Sequence, residues 1–169
     1  MQADMLNIEK EIFDDKILPQ LIAERLKEQK CSLAVAESCT GGYIAHLITS
    51  LPGSSEYFKG GIVAYSNEIK IKILQVEEDV ISKYGAVSKE VVEQMANNLL
   101  LIGNVDYGIA VSGIAGPAGG SVDKPVGTVW VAVANKNKVD TKCFSFGGDR
   151  KQVIKQASIA SLNMLYNYK

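Results

Sequence analysis

The 169-residue sequence is poor in the residue types that most often build catalytic or stapled sites. It has one histidine, three cysteines, one tryptophan and four prolines, and aromatics make up 7%. A single histidine, His46, cannot anchor a metal site and leaves a Ser-His-Asp triad hard to build. Cys31, Cys39 and Cys143 are odd in number, widely spaced and form no CxxC, which favours neither a disulfide framework nor a zinc site. Excess charge is also lacking: 18 Lys and Arg stand against 19 Asp and Glu, a formal net charge of −1. Nucleic-acid binders usually carry a basic excess or stripe, so none is expected here. No apolar run approaches the ~20 residues of a membrane span. The first residues, MQADMLNIEKEIFDDK, mix acids with apolar residues and do not read as a signal peptide. These absences predict a cytoplasmic protein with no metal, no cofactor, no nucleic-acid partner and no membrane partner.

What is present argues for one folded domain over residues 1–169. The chain is 47% hydrophobic with balanced charge, which opposes disorder, and its length suits a single core. Residues 1–16 are the least committed; Leu6, Ile8, Ile12 and Phe13 share one face if helical. Leu18, Leu21, Ile22 and Leu26 recur at helical spacing after Pro19 and up to about Gln29. Leu33–Ala36 reads as a buried strand, and Tyr43, Ile44, Leu47, Ile48 and Leu51 as a helix stopped by Pro52-Gly53. Gly60-Gly61 precedes an expected strand over Ile62–Tyr65, and Ile69, Ile73 and Leu74 suggest one face of a short helix. Ser88 is a plausible N-cap for a helix burying Val91, Val92, Met95, Leu99 and Ile102. Strands are expected at Tyr107–Val111 and Thr128–Ala134, with Val139–Phe146 forming a hairpin across residues 135–138. Asp149 and Gln152 have capping-box spacing for a last helix burying Val153, Ala157, Ala160 and Met164. Helices alternating with strands, plus one hairpin, predict a three-layer α/β/α sandwich with a mixed sheet.

Four constellations carry possible chemistry. In Ala36-Glu37-Ser38-Cys39-Thr40-Gly41-Gly42 a strand ends in Ser38 before small residues and a helix. A hydroxyl and free N–H groups placed there suit a nucleophile and an oxyanion, or simply a capped turn. Cys39 is a rival nucleophile without a paired histidine. In Tyr65-Ser66-Asn67-Glu68-Ile69-Lys70, Lys70 is either a solvated surface residue or a base able to reach Ser38. With the histidine excluded, a neutral lysine is the remaining activator, and burial lowers a lysine's pKa. The run Ser112–Ser121 has four glycines after a strand, and is either a mobile loop or a backbone nest for an anion. Arg150, in Gly147-Gly148-Asp149-Arg150, is either a surface residue or a fork for phosphate or carboxylate.

Taken together, AESCTGG, GGIVAYSNEIK, GAVS, SGIAGPAGG, KPVGTVW and GDR resemble, in content and order, the CinA C-terminal domain family from roughly Leu21 onward. That family includes stand-alone nicotinamide-nucleotide amidases. The resemblance implies hydrolysis of the carboxamide of nicotinamide mononucleotide to nicotinate mononucleotide and ammonia, a step in pyridine-nucleotide recycling. It implies Ser38 as nucleophile and Lys70, rather than Lys72, as its base. With those roles set, backbone N–H groups at Cys39, Thr40 and Gly41 become candidates for the oxyanion. Gly113, Ala115, Gly116 and Arg150 become candidates for the nucleotide phosphate, and Tyr65 and Asn67 for orienting the lysine or the pyridine ring. Longer family members carry an N-terminal domain related to molybdopterin-binding proteins, for which this chain has no room. The expected partner is a small nucleotide, and a homo-oligomer, with a dimer favoured, is expected from the size and the apolar helix faces. The competing expectation is a non-catalytic nucleotide-binding or docking module derived from a competence or damage-inducible protein.

Overall fold

The computed structural model describes residues 16–169. The expectation of an amphipathic segment at Leu6–Phe13 lies outside them. The described residues form a three-layer α/β/α sandwich around a five-stranded mixed sheet of order β2-β1-β3-β4-β5.

The first helix, α1 (Ile17–Gln29), ends where Lys30 turns left-handed. Strand β1 (Leu33–Glu37) follows, then α2 (Tyr43–Thr49), a 3-10 turn (Ser54–Glu56) and β2 (Phe58–Val63). Three helices come next: α3 (Asn67–Lys72), α4 (Glu78–Tyr84) and α5 (Lys89–Ile102). The chain closes with β3 (Tyr107–Gly113), β4 (Thr128–Ala134), β5 (Val139–Ser145) and α6 (Arg150–Tyr166). Strand β1 runs parallel to both β2 and β3, whereas β4 is antiparallel to β3 and β5.

Side chains alternate across a strand with period two, and here the two faces differ in bulk. Leu33, Val35, Ile109, Val111, Val129, Val131 and Val133 face α1, α2 and α6. Ala34, Ala36, Ala110, Ala132 and Ala134 face the layer built from α3, α4 and α5. The small face lets α5 lie close: a Cβ on Gly108 would stand 2.5 Å from the Ala96 carbonyl oxygen.

The caps are as the sequence predicts. Ser88 accepts from the Val91 N–H, and Asp149 and Gln152 form a reciprocal capping box. Several boundaries differ. β2 starts at Phe58 and ends at Val63, so Gly60-Gly61 lie inside a strand. That strand is on the sheet edge, where a side-chain-free stretch can still pair on one side. α3 stops at Lys72, leaving Ile73 exposed in the C-cap position while Leu74 is buried beyond the helix. α4 has no counterpart among the expected elements. In α6 the fully buried positions include Ser158, Ser161, Leu162 and Leu165, while Ala160 and Met164 are only half-buried. Ile102 is exposed rather than part of the inner face of α5.

The last helix is held by the first. Arg25 on α1 donates to the carbonyls of Leu165 at 3.3 Å, Tyr166 at 2.6 Å and Tyr168 at 2.8 Å. Leu165 and Tyr166 are among the carbonyls that a helix end leaves without intrahelical partners, and Tyr168 lies just beyond the helix. No helix among the described residues is long and apolar enough to cross a membrane.

Candidate active site

The parallel strands β1 and β3 end side by side, and loops at their carboxyl ends open into a cleft, the usual ligand position in such sheets. Ser38 follows β1 directly, and its N–H donates to the Val111 carbonyl of β3 at 3.0 Å. This bond fixes the serine at the sheet's end before the chain turns toward α2. Ser38 is 8% exposed, so its hydroxyl lies at the cleft floor rather than on the surface.

Lys70 comes from α3, which is capped by the Ser66 hydroxyl. Its side chain is 1% exposed and points back toward β1. Nζ is 3.0 Å from Ser38 Oγ and donates to the Ala64 carbonyl at 2.7 Å. Of the two readings open for Lys70, the solvated one is therefore excluded. Burial lowers its pKa, because desolvation penalises the charged amine. No carboxylate is among its hydrogen-bond partners. A buried, unpaired lysine touching a serine hydroxyl fits a base better than a structural cation.

The rival nucleophile is disfavoured by its surroundings. Burial pushes the Cys39 thiol up to about 12. A thiol attacks as the thiolate, so Cys39 stays unreactive at neutral pH.

The turn between Ser38 and α2 differs from the expectation of an open helix N-terminus. The Glu37 carboxylate is 1% exposed and folds over onto the helix that follows it. It accepts from the Thr40 hydroxyl at 2.6 Å and from the N–H groups of Gly42, Ile44 and Ala45 at 3.0, 3.1 and 2.8 Å. The Gly41 N–H is also taken, by the Ser38 carbonyl at 3.1 Å. Within this turn, the Cys39 and Thr40 N–H groups are the donors taken neither by a backbone carbonyl nor by the Glu37 carboxylate. Gly42 makes the turn possible with a φ of +100°.

The cleft has a volume of about 240 Å³. Ser38, Lys70, Cys39, Tyr65, Asn67, Gly113, Ala115 and Arg150 all line it, so most of the expected site residues converge. Three do not line it. Thr40 is buried with its hydroxyl committed to Glu37, Gly41 sits on the outer side of the turn, and Gly116 contributes its carbonyl to Arg150. Ala86, Val87 and Ser112 line the cleft without having been singled out as site residues. The first two lie in the GAVS motif, a signal already present in the sequence. Ser112 Oγ donates to the Ala86 carbonyl at 2.8 Å, tying that segment to the end of β3.

Arg150 Nη1 donates to the Gly116 carbonyl at 2.8 Å and Nη2 to the Tyr65 hydroxyl at 2.6 Å. The guanidinium thus joins the Gly-rich loop to the end of β2. Lys124 holds the same loop on its far side, donating to the Tyr84 carbonyl at 2.7 Å. The loop is pinned at both points, unlike the mobile alternative read from its glycines. His46 is exposed on α2, its ring tilted by 34° against that of Tyr43 at a centroid distance of 5.9 Å. Among the described residues, no three His, Cys, Asp or Glu side chains converge to hold a metal ion. A larger hollow, about 710 Å³, lies at the amino ends of β1 and β3, lined by Cys31, Asp106, Asn135 and Lys136 among others, and holds none of the expected site residues.

Comparison with known proteins places this architecture. The profile of the CinA C-terminal domain matches residues 15–169. A CinA-like protein of Endomicrobium trichonymphae is 46% identical over 153 residues, covering 90% of this chain and 36% of that protein. A CinA-like protein of Cytophaga hutchinsonii is 45% identical over 153 residues, 90% of this chain and 37% of its own length. The chain therefore spans little more than a third of these relatives. Among solved structures, the competence damage-inducible protein A of Klebsiella pneumoniae superposes with a TM-score of 0.89 at 34% identity, covering 92% of this chain and 96% of that one. A competence/damage-inducible protein of Agrobacterium tumefaciens gives 0.88 at 35% identity, covering 89% and 93%. With the family profile spanning every element from α1 to α6, the chain belongs to the CinA C-terminal domain family.

Proposed function

We propose that this chain hydrolyses the carboxamide of nicotinamide mononucleotide, giving nicotinate mononucleotide and ammonia. The observation that carries the reading is the buried Lys70 amine 3.0 Å from Ser38 Oγ. Substrate identity comes from the motif resemblance; the serine–lysine chemistry comes from the geometry.

Neutral Lys70 takes the Ser38 proton as Oγ bonds to the carboxamide carbon. The carbonyl electron pair moves to oxygen, and the Cys39 N–H receives that oxyanion; a donor on the residue after the nucleophile is a recurrent device. The tetrahedral intermediate collapses, the C–N bond breaks, and the Lys70 ammonium protonates the departing nitrogen, which leaves as ammonia. Lys70, neutral again, deprotonates a water that attacks the acyl carbon. Collapse of the second intermediate returns the proton to Ser38 and releases the carboxylate. The Ala64 carbonyl keeps Nζ aimed at Oγ through both halves. Arg150 and the pinned Gly-rich loop supply the cation and amides for the nucleotide phosphate. A phosphate entering there takes over the guanidinium edge now held by the Tyr65 hydroxyl.

The test is ammonia release from nicotinamide mononucleotide by the native chain, Ser38→Ala and Lys70→Ala. Native turnover is expected, with each variant reduced by about 10³-fold or more. Activity that survives Ser38→Ala sinks the nucleophile assignment. A native chain that binds the nucleotide tightly yet releases no ammonia supports the non-catalytic module instead.

A further inference from the structure

We infer that Glu37 is a positioning residue for the reaction: its carboxylate gathers the donors of the first turn of α2 and so holds the Ser38–Thr40 turn open toward the attacked carbonyl. This rests on Ser38 being the nucleophile. Glu37 and Lys70 are the buried Asp, Glu, Lys or Arg side chains of the described residues, and they flank Ser38 in space without bonding to each other. Each has a different set of partners. Lys70 reaches the hydroxyl, whereas both Glu37 oxygens are filled by the turn and the helix, three donors on Oε2 and one on Oε1.

The arrangement does more than cap a helix. A capping residue sits at the helix boundary and binds N2 or N3; Glu37 sits five residues before Gly42 and reaches forward across the turn. The carboxylate therefore braces the turn from inside. The Thr40 hydroxyl is drawn inward, and the Gly42, Ile44 and Ala45 N–H groups are withdrawn from the cleft. The Cys39 N–H, on the cleft-lining residue that follows Ser38, is left as a donor for a developing oxyanion, held in place before the reaction begins, which is what makes such donors effective. The Glu37 backbone adds to this. Its carbonyl accepts from the Ala64 N–H at 2.8 Å, and the Ala64 carbonyl in turn holds Lys70.

Glu37→Gln tests the role. An amide presents one acceptor oxygen, so its NH2 group opposes a backbone N–H of the α2 turn. The variant is compared with the native chain for nicotinamide mononucleotide hydrolysis over pH, and for Ser38 labelling by an alkyl fluorophosphonate. In the labelling, Oγ bonds to phosphorus, fluoride leaves and Lys70 takes the proton. The expected result is a fall of about 10²-fold in both kcat and the limiting labelling rate. KM, the half-saturating probe concentration and the midpoint of the Lys70 limb in the pH profile are expected to stay unchanged. Thr40→Val removes a single donor and is the second variant, with a smaller fall of about 5-fold at an unaltered KM. Unchanged kcat and labelling in both variants overturn the proposal. A loss that appears as raised KM together with a moved pH limb also overturns it, because that pattern marks general loosening of the site. Native chain that labels at Ser38 but releases no ammonia overturns the substrate reading alone, and the labelling rates still decide for Glu37. Absence of labelling in the native chain overturns the nucleophile and the role of Glu37 together.

Discussion

Lys70 shows how a site can oppose the stability of its own fold. A lysine's free pKa is about 10.4, and burial holds Lys70 below its ordinary value. Between the folded and unfolded pKa values the unfolded chain binds more protons, so stability rises with pH across that window. At neutral pH the native chain therefore bears a cost that an apolar side chain of similar length would not. Lys70→Met is expected to abolish activity while raising Tm at pH 7, and the advantage should shrink as pH approaches about 10. Thermal melts of both proteins at several pH values check this; an advantage that grows with pH contradicts it. Lys70 was legible as a candidate base from a shortage, since the chain has one histidine, but the residues alone left a solvated surface lysine open until the motif resemblance singled it out. Glu37 was not legible in the same way. Its residue type and place in the motif were visible, but the positioning role proposed for it depends on the side chain bending forward onto a helix that begins six positions later. Thr40 was misplaced for the same reason, since its hydroxyl is turned inward by that carboxylate.

The strands were more legible than the short helices. β1, β3 and β4 are near-continuous apolar runs covered on both faces, and they stand out from any surrounding pattern. α3 was expected, though with six residues its end was placed too late, and α4, with seven, is too short for a helical period to declare itself. α4 buries Ile81 alone, and its other positions are polar or only partly covered. The difference in bulk between the two sheet faces was present in the alternation Leu33-Ala34-Val35-Ala36, but its consequence is three-dimensional: it sets how near α5 lies to the sheet. Gly108 occupies the tightest part of that contact. Gly108→Ala drives a methyl group toward the Ala96 carbonyl oxygen at 2.5 Å. A destabilisation of about 1–3 kcal/mol is expected, read as a Tm lowered by roughly 3–10 °C in a chain of this size. An unchanged Tm would mean that α5 can move outward at no cost.

Across the molecule, the cleft draws on segments far apart in sequence. The proposed nucleophile and base, Ser38 and Lys70, lie within the first half of the chain, whereas the Gly-rich loop and Arg150 belong to the second. α6 connects the two by packing against α1 and α2 while its first residue reaches the cleft. Its other end is held by Arg25, whose guanidinium satisfies three carbonyls. Arg25→Ala leaves those carbonyls to water and should cost about 1–3 kcal/mol. Urea titration checks the loss, and hydrogen exchange should show it concentrated at residues 162–168. Equal loss across all elements would mean that the clasp is not local.

The same connection has a consequence in time. During synthesis, Ser38 and Lys70 leave the ribosome before α6 exists, and a domain generally folds as a unit. The early chain carries its proposed nucleophile and base but neither Arg150 nor the helix that covers α1 and α2. The cleft is therefore completed late, when α6 docks and Arg25 closes over its carbonyls.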